Sequence, residues 1–146
     1  MAGNPKLACD ALSVGDTKEQ VLVENLSRTQ IVQYAGASGD FNPIHHDETF
    51  ATKAAGYPSV FAHGMLTMGM TGRLLTDWLG DGVLKEYGVR FVRQVWPGDT
   101  LTAKGTVKSI ESEGDQGLVA VDVVTTNQKG EPVVMGSAVA ALPARS

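Results

Sequence analysis

In the stretch YAGASGDFNPIHHD, residues 34–47, Asp40 and His45 stand five residues apart across Asn42-Pro43, and His46 follows at once. Three chemistries fit such a group. Gly, Ser, Asp, Asn and Pro are ordinary loop residues, so Asp40 can simply cap a turn. His45, His46, His63, Asp40 and Asp47 together carry enough donor atoms for zinc or iron. Adjacent histidines, however, leave the backbone in different directions, and the sequence has no His-x-x-x-His pair, so metal binding ranks behind. The third chemistry is proton transfer. Imidazole titrates near neutral pH, and a carboxylate beside it can orient the ring and share a water. Pro43 biases Asn42 away from helix, and Asn42-Pro43 stiffen the turn that separates the two groups.

Other chemistries lack their residues. Cys9 is the only cysteine and lies near the N-terminus; there is no Gly-x-Ser-x-Gly elbow, dinucleotide fingerprint or phosphate loop. No cofactor and no metal are therefore expected. A second ingredient for proton chemistry lies in FAHGML, residues 61–66. Gly64 would open a helix, where free N–H groups favour negative charge, and only glycine lets a carbonyl approach that backbone closely.

These residues need elements to position them. Residues 1–19 read as a loosely structured lead-in, with 1–13 the loosest part, and residues 20–26 as a short strand. Ser27 and Gln30 form a capping-box pattern, and Leu26 with Ile31 sit at hydrophobic-staple positions, so a helix is expected from there to about Ala37. Asp47 can cap a second short helix that ends near Ala55, before Gly56 and Pro58. From Gly64 to Leu79 the chain is apolar nearly all round, which predicts a helix buried nearly all round. Gly64, Gly69 and Gly72 within it point to close approach of other backbone. After residue 82 the period changes to two, with strands expected near 87–92, 101–108, 117–127 and 131–142. One buried helix followed by antiparallel strands suggests an α+β domain with the sheet curled around the helix.

Bulk properties narrow the field further. A chain of 146 residues suits one domain, 1–146, without repeats or linkers. The net charge of −4 argues against a nucleic-acid partner. No run of about 20 apolar residues exists to span a membrane. A cytoplasmic protein is the expectation.

Residues 34–51, YAGASGDFNPIHHDETFA, resemble the Gly-Asp-x-Asn-Pro-x-His signature of MaoC-like (R)-specific enoyl hydratases. Gly39, Asp40, Asn42, Pro43, Ile44 and His45 match, followed by Ala51. AHGMLTMG, residues 62–69, resembles the start of the family's central helix. TDWLGDGVLKEYGVRF, residues 76–91, is similar to the beta-subunit branch of actinobacterial (3R)-hydroxyacyl-[acyl-carrier-protein] dehydratases. The resemblance covers about residues 14–142.

It implies a hot-dog fold and reversible hydration of trans-2-enoyl thioesters to (3R)-hydroxyacyl thioesters. It also implies a coenzyme A or acyl-carrier-protein thioester as substrate. Asp40 and His45 would hold the catalytic water, Gly64 N–H would polarise the thioester carbonyl, and Gly39, Asn42 and Pro43 would support the turn. His63, Met65, Thr67 and Thr71 are candidate substrate contacts. Gly72 stands where some relatives carry serine; a glycine there would widen the acyl tunnel, with Thr67 or Thr71 as polar substitutes. A homodimer is implied, or a heterodimer with a sister hot-dog subunit. The rival readings are an acyl thioesterase, which has no use for the Asn-Pro turn, and an acyl-binding partner subunit, for which an intact motif is unneeded.

Overall fold

A computed structural model describes residues 3–145, and the best-punctuated segment of the sequence forms its first helix, α1, Arg28–Ser38. The Gln30 N–H donates to Ser27 Oγ at 3.1 Å, and the Ser27 N–H donates back to Gln30 Oε1 at 2.9 Å. The capping box therefore satisfies two helix-end donors at once. Leu26 and Ile31 are both fully buried, as the staple requires. Gly39 ends the helix at φ 76°, a left-handed conformation natural to glycine. Asp47 accepts from the Phe50 N–H at 3.0 Å and starts the next short helix, whose Phe50–Ala54 portion is a π-helical turn.

The central helix, α2, spans Gly64–Leu79. Leu74, Leu75 and Leu79 are completely buried along it, each contributing roughly 1.5–3 kcal/mol. Five antiparallel strands wrap it: β1 Thr17–Val23, β2 Leu84–Phe91, β3 Leu101–Glu113, β4 Gln116–Thr126 and β5 Pro132–Pro143. Their spatial order is β1-β3-β4-β5-β2, and α2 touches all five. Register shifts between Val21 and Val23, Leu84 and Glu86, Val107 and Ser109, and Thr125 and Thr126 help the sheet to bend. One core cluster joins Leu22, Ile31, Leu74 and Val133; the other joins Leu75, Leu79, Val107, Val121 and Leu142.

Four expectations are corrected. The first strand begins at Thr17 and ends at Val23, not at residues 20–26, because Asn25 adopts φ 51° and breaks the extension. The lead-in is anchored rather than loose: the Leu7 N–H donates to the Leu79 carbonyl at 2.9 Å and Asn4 Nδ2 to Asp77 at 3.1 Å. It thereby satisfies a carbonyl left free at the C-terminal end of α2. Finally, α2 is not buried all round, since Met65, Gly69, Arg73 and Asp77 form an exposed stripe. Nor does foreign backbone meet its glycines. A Cβ on Gly64 would meet the Phe91 ring at 3.0 Å and one on Gly72 the Tyr87 ring at 3.6 Å, while Gly69 faces open space.

Gly80, by contrast, does meet backbone. It adopts φ 107°, and a Cβ there would lie 2.5 Å from Lys6 Cα. Ser27→Ala is expected to cost about 1 kcal/mol of stability, and Gly80→Ala more than that, because it strains φ and displaces the N-terminal strap. Urea unfolding of the two variants checks the order; a Gly80→Ala protein as stable as wild type would contradict the packing.

Candidate active site

The loop after α1 is built from short local hydrogen bonds. The Asp40 N–H donates to Ser38 Oγ at 3.2 Å, the Asn42 N–H to Asp40 Oδ1 at 3.2 Å, and the Ile44 N–H to Asn42 Oδ1 at 3.2 Å. These are consecutive side-chain-closed turns of the kind that Ser, Asp and Asn favour. Pro43 then opens a single 3-10 turn, Pro43–His45, in which the His45 N–H reaches the Asn42 carbonyl at 3.1 Å. Asn42-Pro43 thus place Asp40 and His45 on one short, self-braced segment.

A second segment, the one that leads into α2, braces that loop from outside. The Phe61 N–H donates to the Ile44 carbonyl at 3.4 Å, and His45 Nδ1 lies 2.6 Å from the Phe61 carbonyl. A carbonyl only accepts, so Nδ1 carries the proton and His45 Nε2 is left with its lone pair. The Phe61 ring meets the His45 imidazole edge-on, with centroids 5.2 Å apart. His45 is buried, and that burial pushes its pKa below the ordinary histidine value; His63 and His46 act in the same direction. The Phe61 carbonyl and Asp40 oppose it.

Asp40, His45 and His63 converge: one carboxylate oxygen and one nitrogen from each ring lie within 4.8 Å of one another. His46 is turned away, its Nε2 donating to the Phe41 carbonyl at 3.0 Å, in keeping with a flanking role. Asp47 is spent on capping the next helix.

Gly64 is the first residue of α2. The N–H groups of Leu66 and Thr67 go to the His63 carbonyl, while that of Gly64 makes no hydrogen bond among the described residues. It borders a cavity of about 310 Å³, shared with Thr67, Phe61, Phe91, Arg93 and Val134. The sequence-predicted contacts separate at this point. Thr67 is buried and lines the cavity, and Met65 is 56% exposed on the outer stripe of α2. Thr71 is fully buried and hydrogen-bonded to Thr125 at 2.7 Å, so its hydroxyl serves the core. His63 is stacked on His45, and neither it nor the Asp40–His45 pair is among the residues that line this cavity. Gly72 does not border this cavity; a Cβ there would lie 3.6 Å from the Tyr87 ring, whose hydroxyl donates to the Met68 carbonyl at 2.6 Å.

Residues 11–129 match the sequence profile of the family described as MaoC like domain. The chain belongs to the MaoC-like family. It is 32% identical over 126 residues to an (R)-specific enoyl-CoA hydratase of Rhodospirillum rubrum, covering 85% of each chain. It is 46% identical over 68 residues to 3-hydroxyacyl-thioester dehydratase Y of Mycobacterium tuberculosis, a match that spans 44% of this chain and 23% of that protein. Among solved structures it superposes on the (R)-hydratase from A. caviae involved in PHA biosynthesis, with a TM-score of 0.81 and 28% identity. That alignment covers 92% of this chain and 100% of the other. The helix wrapped by a curved antiparallel sheet is accordingly the hot-dog fold of this MaoC-like chain, as the resemblance implied.

Two signals at the site escaped the sequence reading. The Phe61 carbonyl is a main-chain group with no sequence signature. Tyr34, edge-on to His63 at 4.9 Å, looked like an ordinary helix residue.

A ring nitrogen NMR titration checks this site. His45 is expected to carry its proton on Nδ1 when neutral and to titrate below about 6.5. The unfolded chain binds that proton more readily than the folded one, so His45 makes stability rise with pH up to about 6.5 and level off above it. A His45 midpoint at or above the ordinary value would contradict the buried, Phe61-tethered ring.

Proposed function

We propose that this MaoC-like chain catalyses the reversible hydration of trans-2-enoyl thioesters to (3R)-hydroxyacyl thioesters. One observation carries the proposal: a His45 ring nitrogen and the Asp40 carboxylate lie within 4.8 Å of one another, and the helix-start N–H of Gly64, next in sequence to His63 of the same cluster, has no partner among the described residues. In this scheme Asp40 and His45 hold a water. Its oxygen forms a bond to the β-carbon as a proton passes to the pair. The electron pair of the carbon–carbon double bond moves toward the thioester oxygen, which the Gly64 N–H stabilises as negative charge develops. A proton delivered to the α-carbon completes the addition. Dehydration retraces the path.

The magnitudes suit the parts. Acid/base help is worth about 10²–10⁴-fold, and one oxyanion donor about 10²–10³-fold. A lowered His45 pKa keeps the ring neutral, and able to accept a proton, at neutral pH. The cavity beside Gly64, with Phe61, Phe91, Val92, Val95 and Val134 in its wall, supports an apolar acyl thioester as the substrate, carried by coenzyme A or by an acyl carrier protein. No step calls on anything beyond water and the thioester.

We further propose that two copies assemble as a homodimer. β2 is the end strand of the sheet, and beside it lies a groove bordered by Met65, Met68, Gly72, Leu84 and Tyr87. An open strand edge next to an apolar helix face is a surface that proteins normally cover. Native mass spectrometry is expected to show twice the chain mass. A monomer that becomes active only with a sister subunit would replace the homodimer with a heterodimer.

Asp40→Asn and His45→Ala are each expected to remain folded and to lose at least about a hundredfold in hydration of a crotonyl thioester. Gly64→Ala is expected to lower activity too, by crowding Phe91 and the carbonyl site. Near-wild-type rates in both Asp40→Asn and His45→Ala would overturn the mechanism, and release of free thiol in place of hydration would identify a thioesterase.

A further inference from the structure

His63 occupies a position that ordinary core packing does not explain. It is 2% exposed, precedes the first residue of α2, and its ring is stacked on His45 with centroids 3.8 Å apart and planes 27° from parallel. Tyr34 closes on it edge-first from α1. His63 Nε2 lies 3.0 Å from the main-chain carbonyl of Asp40, so that nitrogen carries a proton and donates it. The other nitrogen, Nδ1, is buried and has no hydrogen-bond partner among the described residues. Buried polar atoms are nearly always paired, and an aliphatic or phenyl side chain would fill the same space without an unpaired nitrogen. A histidine at this position therefore does something that a hydrocarbon cannot. Its contacts show what that is: one ring touches both members of the candidate acid/base pair, through a hydrogen bond to the backbone of one and through stacking on the side chain of the other.

We propose that His63 is a positioning residue for the Asp40–His45 pair, its Nε2–H fixing the Asp40 main chain and its stacked ring fixing the His45 imidazole. The functional consequence rests on the hydratase reading above, whereas the positioning itself does not.

The groups that face His45 are Asp40 from the loop, His46 next along the chain, His63 from the head of α2, and the Phe61 carbonyl and ring. Of these, Asp40 and the Phe61 carbonyl favour the imidazolium, while burial, His63 and His46 disfavour it. Loss of His63 would free the Asp40 loop, admit water to the His45 ring and ease its protonation.

Two substitutions separate the hydrogen bond from the packing. His63→Gln keeps an N–H donor near the position of Nε2; His63→Leu keeps much of the bulk and loses the donor. With crotonyl thioester as substrate, His63→Leu is expected to lower kcat by about tenfold or more with KM little changed, as misplacement of a reacting group does. The acid limb of its kcat/KM profile and the His45 NMR midpoint should both move to higher pH. His63→Gln should recover most of kcat. A folded His63→Leu with wild-type kcat and an unmoved His45 midpoint would overturn the proposal. So would equal losses in the two variants that follow only their unfolded fraction, measured by thermal unfolding. If His63→Leu does not fold, ring nitrogen NMR of the wild-type protein decides: a proton on Nε2 supports the assignment, and one on Nδ1 overturns it. If the wild-type protein hydrates no enoyl thioester, the functional reading falls, and the His45 midpoint in His63→Leu still decides the positioning role.

Discussion

The contact between His45 Nδ1 and the Phe61 carbonyl, 2.6 Å long, joins the two segments on which the site depends. One segment is the loop that presents Asp40; the other leads into the helix that presents Gly64. Because the carbonyl can only accept, this single bond fixes which ring nitrogen is free and where its lone pair lies. The neighbouring Phe61 N–H to Ile44 carbonyl bond makes the connection two-stranded and resistant to rotation. Phe61 is itself held by aromatic edges from Tyr57 and Trp96, and Ala62 by a hydrogen bond from its N–H to the Val95 carbonyl. The position of the histidine thus traces back through a main-chain bond to the packing around α2.

The same helix reconciles two opposing demands. Its C-terminal half is core, with Leu74, Leu75 and Leu79 sealed by the sheet and its end closed by the Leu7 N–H. At its N-terminal end the Gly64 N–H has no partner among the described residues, as the oxyanion role proposed for it requires. The wrapped sheet meets both demands by enclosing one end of the helix and leaving a cavity at the other. A side chain at position 64 would meet the Phe91 ring there.

What the sequence disclosed was mainly what is local. Ser27 with Gln30 and Asp47 before its short helix bond within a few residues, and each was legible from its neighbours. The Gly39–His45 stretch was legible for the same reason, because its turns are closed by its own side chains. Long-range partners were not. Nothing in residues 4–7 announces that they end a helix more than seventy positions away. The outward stripe of Met65, Gly69 and Arg73 was hidden because methionine and glycine read as apolar whichever way they face. His63 was grouped with the candidate substrate contacts; the stacking on His45 and the bond to the Asp40 carbonyl reveal where it sits.

The central claim is that water adds to an enoyl thioester from one fixed side, directed by Asp40 and His45. Chiral analysis of the 3-hydroxybutyryl thioester formed from crotonyl-CoA and water tests it most directly. The account predicts a single product, the (3R) enantiomer. A (3S) or racemic product, or free coenzyme A without any hydroxyacyl thioester, would contradict it.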